Sequence, residues 1–326
     1  MKSSVFQKSA TATVIAALVI AGVAGCNRVS TTGADSPPKI MLALSTLNNP
    51  FFIELRDGAV AEAKKKNVNL IVVDAQNDSA NQANQLATAL SGSTKAVIVN
   101  PVDSDATGAP VTALNKANIP VIAVDRTVNG AKVASFIASD NVAGGMQAAK
   151  NLAASIGGKG SVLVLQGVAG TSASRDRGKG FAEGIKAYPQ ITVVAEQTAN
   201  FDRATALDVT TNLLQAHPGV TGIFAENDEM ALGAIQALGS RAGTSIMVAG
   251  FDGTDNGLAA IKAGTLTSTI AQQPGKLGAL AVDQALTRCP PHCIGNVILH
   301  GPFPLLPASP KVHEAESKAS SIFRLD

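Results

Sequence analysis

From Lys39 onward, short runs of β-branched and other apolar residues alternate with longer segments of helical periodicity. Such alternation favours parallel sheets, because a strand that rejoins a sheet in the same direction needs a crossover helix. The predicted strands are 39–44, 69–74, 96–100, 120–125, 161–166, 191–196, 220–225, 245–250 and 267–271. The predicted helices include 51–66, 78–91, 143–156, 173–187, 203–216, 229–239, 254–263 and 275–287. We therefore expect an α/β fold of doubly wound sheets.

An internal repeat indicates two similar halves. The segments 96–100 and 222–227 each lead into a helix, and the Asn that ends each segment is followed 25 residues later by an Asp that closes another strand. Each half should then be a Rossmann-like, doubly wound domain, with a crevice between the two. Extended segments at 135–140, 267–272 and 294–307 are expected to cross between the halves and to form a hinge.

The N-terminus has the pattern of an export signal. Lys2 and Lys8 precede an apolar run of 16 residues, 10–25, which is short for a membrane-spanning helix. The run ends in Val-Ala-Gly-Cys, which resembles a bacterial lipobox with Cys26 as the lipidated residue. An ordinary signal peptide or an uncleaved anchor are the alternatives, and all three versions export the protein. We expect residues 1–25 to be a lipoprotein-type signal peptide and residues 26–38 to be a flexible tether.

Charge and aromatic content exclude some classes of partner. From residue 26 onward, 24 basic residues balance 24 acidic ones, so the mature chain lacks the positive footprint of a nucleic-acid-binding protein. The chain has no Trp and a single Tyr, so its ten Phe residues must supply any ring stacking against a ligand.

An enzyme is a rival class that the sequence does not favour. The four histidines lie outside the predicted strand ends, at His217, His292, His300 and His313. No G-x-G-x-x-G motif follows a predicted strand, and Gly158-Lys159 lacks the other residues of a P-loop. We therefore expect a non-catalytic protein with no cofactor and no metal.

Polar and aromatic residues recur at the predicted strand ends, starting with the first β-to-α connection. The carboxyl ends of parallel strands line the crevice where ligands bind, so these residues should converge. They are Asn49, Phe51, Phe52, Asp125, Arg126, Arg175, Phe201, Asn227, Asp252 and Gln272. Arg and carboxylate groups can make paired hydrogen bonds to vicinal hydroxyls, and Phe faces can cover the C–H faces of a sugar. The pattern predicts a sugar-binding cleft.

Each of these residues also has a structural alternative. Asp125 and Arg126 could pair on the surface, and Arg175 could be solvated on a helix. Phe201 could belong to a hydrophobic core, and Asn49 and Asn227 could only cap helices.

Several motifs, taken in order, resemble the sugar-binding members of the type I periplasmic binding protein family, which serve bacterial ABC uptake systems. They are STLNNPFF (45–52), VDR (124–126), IASDN (137–141), LQGVAGTSASRDRG (165–178), FDR (201–203), ENDEMALGA (226–234), GFDGT (250–254) and TIAQ (269–272). The resemblance spans residues 39–286. It implies a monomer that closes by hinge bending around D-ribose, with the ten residues above as ligand contacts.

The resemblance also implies partners and a location. The partners are a membrane permease with its ATPase, and a chemoreceptor is a further candidate. The location is the periplasm or cell envelope, where a lipid would anchor the protein to the membrane. The alternatives are a carrier of another sugar, such as D-allose, and a sugar-sensing regulator of the same fold. A regulator would need an N-terminal helix-turn-helix, whereas residues 1–38 have the pattern of a leader and a tether.

The expected domain limits follow the same resemblance. The N-terminal domain would comprise 39–138 and about 273–298, the C-terminal domain 139–272 and about 299–307, and residues 308–326 would extend beyond the family's usual end. Cys289 and Cys293 depart from the family pattern. In an exported protein they could form a disulfide, and a metal site with His292 is the alternative.

Overall fold

The structure is a computed structural model that describes residues 37–287 and the strand 295–299. The predictions for the signal peptide, the tether up to residue 36, Cys26, Cys289, Cys293 and the C-terminal extension lie outside these residues. Among the described residues, no helix is long and apolar enough to cross a bilayer.

Strands and helices alternate as expected. The strands are β1 (Lys39–Leu44), β2 (Asn69–Asp74), β3 (Thr94–Val99), β4 (Val121–Val124), β5 (Ser135–Ser139), β6 (Lys159–Gln166), β7 (Gln190–Thr198), β8 (Val220–Ala225), β9 (Met247–Asp252), β10 (Ser268–Ala271) and β11 (Gly295–Leu299). The α-helices are α1 (Pro50–Lys65), α2 (Ser79–Thr88), α3 (Gly108–Lys116), α4 (Asn141–Ser155), α5 (Ser172–Ile185), α6 (Arg203–Ala216), α7 (Asp228–Leu238), α8 (Asp255–Lys262) and α9 (Pro274–Leu286). A 3-10 turn follows α7 at Gly239–Arg241.

The strands form two parallel sheets. The first sheet has the order β11-β5-β4-β3-β1-β2, and the second has the order β10-β9-β8-β6-β7. Five strands of the first sheet thus repeat the order of the second, which confirms the predicted α/β class with two similar doubly wound halves. We call these the first half and the second half.

Each sheet is buried on both faces. In β1, Ile40, Leu42 and Leu44 pack with α1 and α9 on one face, whereas Met41 and Ala43 pack with α2 and α3 on the other. The second sheet is covered by α4 and α5 on one face and by α6, α7 and α8 on the other. This double burial explains why the strands appear in the sequence as nearly continuous apolar runs.

The predicted crossing segments are sheet strands in the structure. Residues 135–139 form β5, residues 268–271 form β10 at one edge of the second sheet, and residues 295–299 pair with β5 as β11. The chain passes from β5 into α4, which packs on α5 of the second half, and from β10 into α9, which packs on α1 of the first half. The exact domain limits stay a prediction.

The register of the two sheets corrects the alignment of the internal repeat. The backbone N–H of Asn100 donates to Ala43 O at 2.9 Å, and that of Glu226 donates to Leu165 O at 3.0 Å, in the matching positions of β3 and β8. Glu226, not Asn227, is therefore the structural counterpart of Asn100. The repeat in the sequence pairs the two asparagines by residue type and by their equal spacing to Asp125 and Asp252, and this pairing is one residue out of register.

Candidate functional site

The carboxyl ends of strands from both sheets line a small cavity, with about 20 Å³ of space for the centre of a water-sized sphere. Its walls come from the loops that lead from strands into helices, and from the first turns of those helices. They are formed by Asn49, Phe51, Phe52, Asp125, Arg126, Ala173, Arg177, Phe201, Asn227 and Asp252. Eight of the ten predicted site residues therefore lie together here.

Asn49, Phe51 and Phe52 form one wall at the start of α1. Asn49 is the N-cap, and its Oδ1 accepts a hydrogen bond from the Phe51 N–H at 3.0 Å. The two rings pack edge to face with centroids 5.2 Å apart. Pro50 in the first helical turn preorganises this geometry. Asn49 thus caps a helix and also lines the cavity, so the two interpretations from the sequence do not exclude each other.

Asp125 and Arg126 follow β4 and are both buried, each with 3% of its surface exposed. Asn100 Nδ2 donates to Asp125 Oδ2 at 3.2 Å, and Arg126 Nη1 donates to Pro101 O at 2.9 Å. The pair itself is loose, with 3.7 Å between Arg126 Nε and Asp125 Oδ2. Oδ1 of Asp125 and Nε of Arg126 are buried without a hydrogen-bond partner among the described residues. These two side chains are therefore not a surface ion pair.

Burial dominates the electrostatics of this pair. It raises the pKa of Asp125, although the charges of Arg126 and Arg177 oppose the shift. It also lowers the pKa of Arg126 to about 10, which leaves the guanidinium charged at neutral pH. Both shifts mean that the charged forms are poorly solvated and would gain from new hydrogen-bond partners.

Arg177 and Asp252 form the matching wall of the second half. Arg177 Nη1 lies 3.5 Å from Asp252 Oδ1 and donates to Glu226 O at 2.6 Å, and Arg177 Nε donates to Asn141 Oδ1 at 2.9 Å. The guanidinium also lies over the Phe251 ring, 4.0 Å from its centroid. Burial raises the pKa of Asp252 well above its ordinary value, against the opposing charge of Arg177.

Arg175, a predicted ligand contact, does not line the cavity. Arg175 is exposed on α5, whereas Arg177 is buried at 3% exposure and lines the cavity. The helical period accounts for the difference. Ala173, Arg177 and Phe181 are spaced by four residues and share the buried face of α5, while Arg175 lies between them on the other side. That spacing was a usable signal in the sequence.

Gln272 stands behind the cavity rather than in its wall. Its Nε2 donates to Asp252 Oδ1 at 2.7 Å, and its Oε1 is buried without a hydrogen-bond partner among the described residues. Gln272 therefore orients the Asp252 carboxylate.

Phe201 and Asn227 close the cavity from the second half. Asn227 caps α7 by accepting from the Met230 N–H at 2.9 Å, and its Nδ2 donates to Phe201 O at 3.3 Å. The Phe201 ring lies over both arginines, 5.6 Å from Arg126 and 5.7 Å from Arg177. Gly167 lies so close to this ring that an added Cβ would clash with it. Phe201 thus contacts both halves of the site.

Three residues of the site have a strained backbone conformation. Asp125, Phe201 and Asp252 have positive φ angles of 65°, 56° and 122°, which non-glycine residues seldom adopt. Such conformations cost about 1–3 kcal/mol each and persist where surrounding structure enforces them, commonly at ligand sites. Three of them in one small cavity are consistent with a binding role for these residues.

Glu226 is a buried residue that the sequence reasoning did not single out. Its Oε2 accepts from the Gly167 N–H at 2.7 Å and from the Ser174 hydroxyl, while its backbone carbonyl holds Arg177. Burial raises its pKa to about 7, more than these hydrogen bonds lower it. Glu226 therefore connects three elements of the second half's cavity wall.

The site offers planar charged groups, amides and aromatic faces rather than reactive groups. No group of three or more His, Cys, Asp or Glu residues that could hold a metal occurs in the part of the chain that the structure describes. The arrangement can accept and donate many hydrogen bonds to a small polar ligand.

Comparison with known proteins gives a consistent result. The ribose import binding protein RbsB of Escherichia coli (strain K12) is 45% identical over 274 residues, which cover 84% of this chain and 90% of that protein. The protein of the same name from Bacillus subtilis (strain 168) is 44% identical over 256 residues, covering 78% and 83%.

A solved structure gives the same result as these two relatives. An ABC transporter periplasmic solute-binding protein from Actinobacillus succinogenes 130z, with bound D-allose, superposes with a TM-score of 0.74 at 35% identity and covers 81% of this chain and 96% of that one. All three are named as binding proteins, which confirms the expectation of a non-catalytic protein. The family profile described as "Periplasmic binding protein domain" matches residues 40–289. The chain belongs to the periplasmic binding protein family.

Proposed function

We propose that this protein binds a monosaccharide, D-ribose in the first instance, in the cavity between its two halves. The observation that carries the proposal is that two charged side chains in the cavity wall have buried polar atoms without a hydrogen-bond partner among the described residues: Asp125 Oδ1 and Arg126 Nε. An unsatisfied buried polar group costs about 1–3 kcal/mol, and more when charged. Hydroxyl groups, which both donate and accept, can satisfy a carboxylate and a guanidinium at once.

The aromatic walls of the cavity support the same ligand class. Phe51, Phe52 and Phe201 supply flat apolar surfaces beside the polar groups. A pentose has hydroxyls for the polar groups and C–H faces for the rings.

D-ribose is favoured over other sugars by the relatives named for ribose import, of which the Escherichia coli protein is 45% identical. The alternative is a related aldose, because the structural neighbour from Actinobacillus succinogenes holds D-allose. In either case the protein would act as the substrate-binding component of an ABC importer. It would close around the sugar by hinge bending and deliver it to a membrane permease powered by an ATPase. Its domains would have the limits expected from the sequence.

The proposal includes an exported, periplasmic or envelope location with a lipid on Cys26. The support is the family of periplasmic proteins and the Val-Ala-Gly-Cys sequence at 23–26. Metabolic labelling with a fatty-acid analogue should mark the wild-type chain but not Cys26→Ser. Equal labelling of both would rule out this lipid site. A chemoreceptor is a further candidate partner.

Calorimetry of the purified protein with D-ribose, D-allose, D-xylose and D-galactose tests which sugar the protein binds. We expect D-ribose to bind most tightly. We also expect 2-deoxy-D-ribose to bind at least roughly a hundredfold more weakly, because a site built for hydroxyls strongly rejects a ligand that lacks one. Asp125→Asn should weaken binding, while the matched change at an exposed carboxylate, Asp208→Asn, should not. Folded, ligand-free protein that binds none of the sugars would refute the proposal.

A further inference from the structure

A cluster of hydrogen bonds joins the two halves outside the cavity. The Ser104 N–H donates to Gly170 O at 3.1 Å, and the Ser172 N–H donates to Ser104 Oγ at 3.3 Å. The Thr127 N–H donates to Ser172 Oγ at 2.9 Å. Ser104 and Thr127 belong to loops of the first half, whereas Gly170 and Ser172 lie at the start of α5 in the second half. We call these four residues the rim cluster.

The rim cluster is built for this contact. Ser104 has 0% and Ser172 has 3% of its surface exposed, so neither hydroxyl is a freely solvated surface group. Ser104 O also accepts from the Asn129 N–H at 2.8 Å, which ties together the two first-half loops that carry Ser104 and Thr127. At Gly170, an added Cβ would clash with Asp103, and the φ angle of 86° suits glycine. A larger residue at position 170 would therefore have a strained backbone and would displace the Asp103 side chain.

None of the four residues lines the cavity. Their hydrogen bonds form only when the two halves are close together, whatever ligand is present. A contact of this kind stabilises the closed form and not the open one. Ligand affinity depends on the fraction of protein in the binding-competent form, so such a contact changes affinity without touching the ligand.

We propose that the rim cluster is a latch that sets the affinity and the release rate of the ligand from outside the cavity. Ser104 and Ser172 are then affinity-determining residues that make no ligand contact. The sugar readouts of this inference rest on the proposed function, because they need a ligand that binds the closed form.

The test uses Ser104→Ala and Ser172→Ala, each of which removes one acceptor between the halves. Ser155→Ala is the matched control, because among the described residues the Ser155 hydroxyl bonds only to Leu152 O within α4. Stopped-flow and calorimetric measurements with D-ribose should show each latch variant releasing the sugar roughly five- to tenfold faster, with a similar loss of affinity. The association rate and the sugar-free unfolding midpoint should match those of the control, which separates a latch from a general loss of stability.

A second measurement does not need the sugar. Hydrogen exchange of the backbone at 49–52, which lines the cavity but makes no contact with the latch, should be faster in sugar-free Ser172→Ala than in wild type or Ser155→Ala. If wild type binds none of the sugars, the proposed function fails, and the exchange result alone decides whether the rim cluster acts as a latch. Unchanged exchange together with unchanged release in both variants would overturn the inference.

Discussion

The exchange of Arg175 for Arg177 as the site arginine leads to a quantitative prediction. Arg177→Met keeps the length of the side chain but removes its charge and its hydrogen bonds. In wild type these bonds hold Asn141 and the Glu226 carbonyl, and the charge lies 3.5 Å from Asp252. Arg175→Met is the matched control, two residues away on the same helix and exposed.

The expected cost follows from what the Arg177→Met change leaves behind. Asp252 stays fully buried with its cationic partner gone, and removing one partner of a buried pair typically costs about 3–5 kcal/mol. The Asn141 amide and the Glu226 carbonyl each lose a bond as well. An exposed substitution such as Arg175→Met usually changes stability by no more than about 0.5 kcal/mol. The two variants should therefore differ by several kcal/mol in free energy of unfolding.

Urea unfolding of the sugar-free proteins measures this difference, and calorimetry with D-ribose measures binding. The double variant Arg177→Met/Asp252→Asn should recover part of the lost stability, because no buried carboxylate is then left uncompensated. It should still bind the sugar poorly, since both groups line the cavity. Two results would refute the reasoning: Arg175→Met weakening sugar binding as much as Arg177→Met, or Arg177→Met retaining wild-type stability.

Two further predictions concern the second half's wall. Burial raises the pKa of Glu226 from 4.5 to about 7, so its contribution to stability is complete below pH 4.5 and is lost as the pH rises to about 7. Glu226→Gln should not lose stability in this way as the pH rises. In urea unfolding, the variant should be more stable than wild type by roughly 3 kcal/mol at pH 8 but not at pH 4.5. A stability difference between the two proteins that is the same at both pH values would contradict this prediction. Gly167→Ala should displace the Phe201 ring and weaken sugar binding, whereas Gly219→Ala, with open space around it, should bind the sugar normally.

The fold was predictable because its signals are local and repeated. Strands buried on both faces appear as apolar runs, and polar residues such as Asn49, Asp78 and Thr171 cap helices where the loops end. Each local preference agrees with the parallel topology. The sequence therefore specified the order of elements, the two halves and the strand ends at which ligand-binding groups gather.

The parts that were not predictable depend on geometry between elements. The choice between Arg175 and Arg177 depends on which face of α5 is buried. A motif match does not give that face, but the four-residue spacing of Ala173, Arg177 and Phe181 does. Glu226 became visible only through sheet register, because its counterpart Asn100 differs in residue type. No local pattern indicates which carboxylate oxygens lack partners, since that depends on side chains far apart in the sequence.

The distribution of charge between the halves suggests how the site can open at low cost. Asp125 and Arg126 both belong to the first half, and Arg177 and Asp252 both belong to the second, so each wall carries its own ion pair. Separating the walls breaks neither pair, and breaking a buried pair would cost several kcal/mol. Opening would disrupt the rim cluster and the stacking of Arg126 on Phe201 at 5.6 Å. It would also weaken the longer-range attraction of Asp125 to Arg177 and of Arg126 to Asp252. A ligand whose hydrogen bonds reach both walls would therefore shift the protein toward the closed form.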